Sequence, residues 1–123
     1  MIDDCLTRGM DVTQGGARYN FAGVQAIQIA NVADSLAAIK LLVYDEKKLS
    51  AQELLHALQT NFEDAPLVRT MLLSKVPKYG NDVPWVDELG AKWVNYFADG
   101  LRKYRNGRGG IYQMGLYTVS AHV

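Results

Sequence analysis

Five places in this 123-residue chain carry groups that could do chemistry: Cys5, the pair Gly15-Gly16, the strand-like tail with Tyr112, Tyr117 and His122, the basic run Arg102 to Arg108, and the stripe Trp85, Trp93 and Phe97. A cysteine becomes a nucleophile where a cation or histidine favours its thiolate. Cys5 has no such neighbour in sequence; it falls at helical spacing with Ile2, Leu6 and Met10 and reads as a small buried hydrophobe. His122 as general base or metal ligand lacks a second His or a carboxylate at ligand spacing. Gly15-Gly16 lacks the GxGxxG or GxxxxGK spacing of a phosphate cradle and no helix follows at once, so a structural turn is the better account. Arg102-Lys103-Tyr104-Arg105-Asn106-Gly107-Arg108 gathers four positive charges around one tyrosine, which suits a helix C-terminus and a solvated loop better than RNA or phosphate binding. The aromatic stripe is core or interface rather than a cofactor box.

These groups need elements to hold them. The first residues look like the tail of a helix that begins before the chain does. Asp11 to Asn20 reads as a loop, with two glycines free to take positive φ. A helix over roughly Asn31 to Asp45 places Val32, Leu36, Ile39, Leu42 and Val43 on one face, with Asn31 or Asp34 to cap it. Ser50-Ala51-Gln52-Glu53 has the form of a capping box opening a helix with Leu54, Leu55, Leu58 and Phe62. Pro66 suits the first turn of a third helix, and Pro77 with Gly80-Asn81-Asp82 marks its end. A fourth helix starts near Pro84, carries Trp85, Leu89, Trp93, Phe97 and Leu101 at four-residue spacing, and stops by Asn106 to Gly110. Ile111 to Val123 suits a strand buried on both faces, but no mate for it is evident, so its partners are expected from elsewhere and both ends of the chain look cut.

Composition narrows the function. An apolar fraction of 49% supports a modest core, and thirteen basic residues balance thirteen acidic ones, leaving no field to attract nucleic acid or an anionic membrane. One cysteine cannot form an internal disulfide, the start lacks a secretion-signal plan, and no apolar run approaches a membrane span, so a reducing cytoplasm is the default. Residues 1–123 read as one segment with no repeat, linker or internal boundary.

Five stretches carry a family likeness: Asp3-Asp4-Cys5 with Gly9; Gly15-Gly16-Ala17-Arg18-Tyr19-Asn20; Ala30-Asn31-Val32-Ala33-Asp34-Ser35-Leu36-Ala37-Ala38-Ile39-Lys40; Lys78-Tyr79-Gly80-Asn81-Asp82 with Val86-Asp87; and Gly115-Leu116-Tyr117-Thr118-Val119-Ser120-Ala121-His122-Val123. In that order and spacing the chain resembles the C-terminal half of glycyl radical enzymes of the pyruvate formate-lyase superfamily, especially the branch of glycerol and diol dehydratases, choline lyase and arylacetate decarboxylases. The resemblance implies an α/β fold: a mostly helical fragment of a ten-stranded barrel, with one terminal barrel strand. It implies radical C–C, C–O or C–N cleavage of a small substrate by a formate acetyltransferase-like lyase or dehydratase in anaerobic metabolism. A glycyl radical would be installed by a radical-SAM activating enzyme, no cofactor would be bound by this segment, and the whole enzyme would be a cytoplasmic homodimer.

Neither radical residue lies in the chain. The family glycine belongs to an Arg-Val-x-Gly-Tyr motif downstream and the family cysteine to a Gly-Cys-x-Glu loop upstream, which Asp4-Cys5-Leu6-Thr7 does not match. The segment alone is therefore not expected to be active. By resemblance Tyr117 is the substrate-contacting residue, while Gly15, Gly16, Tyr19 and Asn20 form a structural motif. Tyr112 and His122 have the opposite strand parity to Tyr117 and would face the other way, unless Gly115 carries a bulge. The competing reading is a stand-alone helical module that binds a protein through its unpaired strand or aromatic stripe.

Overall fold

The computed structural model describes residues 2–117, so His122 and residues 118–123 of the expected strand lie outside the described residues. The chain order is α1 (Cys5–Arg8), a 3₁₀ turn (Val12–Gln14), β1 (Ala22–Ile27), α2 (Ile29–Ala38) continuing as a π-helical turn (Ile39–Asp45), α3 (Ala51–Gln59), α4 (Pro66–Ser74), α5 (Pro84–Arg102) and β2 (Tyr112–Tyr117). Two compact units emerge: one of the residues up to Gln28 and from Val94 onward, the other of Ile29–Trp93. Among the described residues no helix is long and apolar enough to cross a membrane.

In the first unit, β1 and β2 pair in parallel, in an unbroken register from Ala22 opposite Tyr112 to Ile27 opposite Tyr117. This overturns the expectation of a tail strand without a mate: Tyr112–Tyr117 has its partner within the chain, and the sheet holds two strands, not one. The partner escapes a local reading because parallel strands need a long crossover, and here the intervening helices supply it. The expected helical tail at the start is also corrected. α1 is a single turn, preceded by Asp4 in the left-handed region at φ 71, a conformation that breaks a helix.

The second unit is a helical body whose core is Ala37, Ala38, Leu42, Val76 and Val86, with Met71, Leu72, Trp85 and Leu89 packed against it. Of the expected row of large residues Leu42 is buried and Leu36, Ile39 and Val43 are half-buried, but the fully buried positions within α2 itself are small. Ala33, Ala37 and Ala38 are buried while Val32 is 38% exposed. Small residues permit close approach to α5: a Cβ on Gly90 would stand 3.6 Å from that of Ala33 and 2.7 Å from Cε2 of Tyr79. Asp34 is not a cap. Its carboxylate accepts the Tyr79 backbone N–H at 2.7 Å, tying α2 to the loop before α5. The helix widens after Ala38, where the Glu46 N–H reaches back five residues to the Leu41 carbonyl at 2.8 Å; five-residue spacing likewise brings Lys40 onto Asp45. The Lys40 ammonium also lies 5.8 Å from the Trp85 ring centroid.

α3 begins as its capping box requires: Ser50 Oγ accepts the Glu53 N–H at 3.1 Å and Glu53 Oε2 accepts the Ser50 N–H at 2.8 Å. Its buried stripe is Leu54 and Ala57, with Leu55 and Leu58 each 56% exposed, a narrower face than the apolar spacing predicts. The Ser50 hydroxyl and then its backbone N–H hold the Glu53 carboxyl below the usual carboxylate range. A depressed folded pKa contributes stability that is present above the unfolded value near 4.5 and lost as pH falls through the lower folded value. Ser50→Ala is expected to cost about 1 kcal/mol at neutral pH. In parallel acid titrations followed by circular dichroism, the gap between wild type and variant should narrow below pH 4.5 and stay constant above it.

Pro66 occupies the first turn of α4, and Trp85 and Leu89 of the α5 stripe meet the core while Trp93 is 41% exposed.

Candidate functional site

The first unit presents a sheet face framed by a loop clamp. Asp11 caps the 3₁₀ turn, accepting the Thr13 N–H at 2.8 Å, while Gln14 Oε1 takes the Asp11 N–H at 3.1 Å. The Thr13 hydroxyl, followed by its N–H, keeps the Asp11 carboxyl below its ordinary range. Gly15 then turns at φ 90, a conformation open to glycine. Gly16 is required for a different reason: a Cβ there would lie 2.2 Å from the Met10 carbonyl oxygen. Asn20 Nδ2 donates to the carbonyls of Gly15 at 3.0 Å and Ala17 at 2.7 Å, stapling the loop. Tyr19 is 73% exposed, with the Arg18 guanidinium 5.6 Å from its ring centroid.

Opposite stands the loop Asn106–Gly110. Asn106 Oδ1 accepts the N–H groups of Arg108 and Gly110 at 2.9 Å each, and its Nδ2 donates to the Asn20 carbonyl. Gly110 lies so close to Asn20 that a Cβ would fall 1.8 Å from the Asn20 oxygen. The clamp delivers the chain into the sheet, where the Ala22 N–H meets the Ile111 carbonyl at 3.0 Å. The basic run is used locally: Arg102 pairs with Asp99 at 2.6 Å, and Arg105 donates to the carbonyls of Arg102 and Tyr104 at the end of α5.

Alternation sorts the sheet into two faces. Ala22, Val24, Ala26, Tyr112 and Met114 lie on the more buried side. Gly23, Gln25 and Ile27 lie on the other, beside Gln113, Gly115 and Tyr117. Tyr112 and Tyr117 thus point to opposite faces, and no bulge interrupts the register at Gly115. A Cβ at Gly23 or Gly115 would meet nothing within 4 Å, so the glycines leave a shallow open floor. Across it the Tyr117 hydroxyl donates to Gln25 Oε1 at 2.7 Å. Among the described residues the face offers amide and phenol hydrogen-bonding groups, suited to binding and orienting a small polar molecule. Sequence reasoning missed Gln25, because it sits on β1. The available signal was the short run Val24-Gln25-Ala26-Ile27-Gln28-Ile29, with its β-branched residues and interspersed amides.

Other candidates carry less. Cys5 is a free thiol, partly rather than fully buried. Among the described residues no three His, Cys, Asp or Glu side chains are placed to hold a metal ion. In the second unit, Asp64 binds both Thr60 Oγ1 at 2.6 Å and His56 Nε2 at 2.7 Å, and the Thr60 hydroxyl, then His56, lower its carboxyl pKa. Threonine and histidine meet on one carboxylate rather than on each other, so no nucleophile is activated. An apolar cleft of about 360 Å³ among Ala38, Ile39, Leu54, Leu58, Phe62 and Leu72 has both charged groups of its lining engaged: Asp34 on Tyr79, and Lys78 Nζ on the Leu72 carbonyl at 3.1 Å.

The pyruvate formate lyase-like family matches residues 1–123, and the chain belongs to that family. It is 36% identical over its full length to trans-4-hydroxy-L-proline dehydratase from Clostridioides difficile, of which it covers 16%. Among solved structures, the glycerol-bound B12-independent glycerol dehydratase from Clostridium butyricum superposes with a TM-score of 0.87 at 40% identity, over 95% of this chain and 15% of that one. A structure describing 1,2-propanediol dehydration in Roseburia inulinivorans gives 0.82 at 46% identity, over 98% and 16%. The chain therefore spans about one sixth of the length of these relatives, all of them dehydrating enzymes by name and none an interaction module. The membership rests on these matches and is independent of the unpaired strand that the structure overturned.

Proposed function

We propose that this chain is part of a glycyl radical enzyme, a lyase or dehydratase that cleaves a C–O, C–C or C–N bond of a small substrate, and that the Gln25–Tyr117 face is part of its cavity wall. The observation that carries the reading is a glycine-floored polar face on a chain matched end to end by dehydratases. Dehydration, hence C–O cleavage, is the favoured subtype, ahead of the acyl transfer of a formate acetyltransferase.

In this reading β1 and β2 are neighbouring strands of a ten-stranded barrel, and the radical glycine and thiyl cysteine come from other parts of a longer polypeptide. A radical-SAM activating enzyme installs the radical, and the holoenzyme is a homodimer of the anaerobic cytoplasm. The chain's own residues bind and orient. Gly15, Gly16 and Asn20 shape the loop at the strand entrance, Tyr19 lies on its outer side, and Tyr117 faces the substrate. The test is anaerobic activation of the full-length protein followed by electron spin resonance. A glycyl doublet and loss of water from an alcohol substrate are expected; activated, folded protein without a doublet refutes the assignment.

A further inference from the structure

The polarity of the Tyr117–Gln25 hydrogen bond on the open face has a chemical consequence. Tyr117 donates its proton to Gln25 Oε1, so its phenolic oxygen keeps only acceptor capacity toward anything above the sheet. Gln25 Nε2, on the same amide, has no partner among the described residues and offers donors beside that acceptor. Both groups are exposed, Tyr117 at 44%, and Gly115, opposite Gln25 in the register, places no side chain between them and a ligand.

We infer that Gln25 is a substrate-binding residue: by taking the Tyr117 proton it sets an acceptor and a donor side by side, a pair that one substrate hydroxyl satisfies in full. A hydroxyl donates to the Tyr117 oxygen and accepts from Gln25 Nε2. An ether accepts but cannot donate, and an ammonium donates but cannot accept; each leaves one group of the pair unsatisfied. The inference rests on the enzyme reading above and adds to it the residue that discriminates alcohols from their ethers.

The experiment is calorimetric binding to the full-length resting protein, before activation, of glycerol, 1,2-propanediol and trans-4-hydroxy-L-proline, each compared with its O-methyl ether. Wild type should prefer the free alcohol of its best ligand by about tenfold. Gln25→Leu and Tyr117→Phe should each bring that ratio close to one, and the double variant should do no more than either alone. Gln25→Glu, which still accepts the Tyr117 proton but has no donor of its own, should bind all ligands more weakly and retain the alcohol preference. A Gln25→Leu protein with the wild-type ratio overturns the inference, as do additive losses in the double variant. A wild type that forms the radical yet shows no alcohol preference overturns it alone, whereas failure to form the radical removes the enzyme reading beneath it.

Discussion

Replacing Gly110 with alanine is expected to destabilise the first unit by about 3 kcal/mol or more, as an overpacking substitution with nowhere to relax. The added methyl would lie 1.8 Å from the Asn20 carbonyl oxygen, 2.4 Å from its carbon and 3.0 Å from the Phe21 nitrogen, all of them backbone atoms. Either the Asn106–Gly110 loop or the Asn20 turn must withdraw, and both strands start from that point, through the Ala22 N–H bond to Ile111. The measurement is the denaturant midpoint of the full-length protein, with Gly107→Ala as control. Gly107 lies in the same loop, but its Cβ would meet nothing within 4 Å, so its variant should stay within about 0.5 kcal/mol of wild type. Equal midpoints for the two variants would show that the close approach to Asn20 is not a feature of the folded protein. The same displacement should reach the far end of the sheet, because register is shared along the ladder and Tyr117 meets Gln25 only in the observed pairing.

Leu42→Ala is the second large effect, with an expected loss of about 3 kcal/mol from lost burial and the cavity left behind. Leu42 is 1% exposed and touches the centre of the second unit, among Ala37, Ala38, Val76 and Val86. Its carbonyl receives the Lys48 and Leu49 N–H groups at 2.8 and 3.2 Å, bonds that alanine would keep, so the cost reports packing rather than the π-helical turn. Leu55→Ala, at a residue 56% exposed, should cost well under about 1 kcal/mol. Both leucines lie on stretches whose apolar periodicity places them on a core face. Only packing distinguishes them, and a comparable loss from the two variants would argue against the core described for Ile29–Trp93.

The contrast shows what periodicity can and cannot resolve. The capping box of Ser50 and Glu53, the proline at the start of α4 and the long helix from Pro84 were legible because each depends on atoms within a few residues. The face of the helix over Asn31 to Asp45 was legible only in part: Leu42 is buried as its spacing predicts, but large side chains do not mark where α2 packs most closely. Close contact between α2 and α5 is instead made by Ala33 and Gly90, whose smallness is informative only once the helices are brought together. The π-helical widening at Ile39–Asp45 has no local sequence signal that separates it from a continued α-helix.

By itself, then, the sequence pointed to the family through the resemblance of five ordered stretches, and short-range stereochemistry made the starts of α3, α4 and α5, the glycine turn and the opposite facing of Tyr112 and Tyr117 legible. The tertiary structure decided that the tail strand has a mate, that the mate is the inconspicuous Ala22–Ile27, and that Tyr117 shares its proton with Gln25, 92 residues away. The physical reason is distance along the chain. A parallel pair is closed by a long crossover and held by backbone bonds that any sequence can make, so its partners carry little mark of one another until the chain has folded.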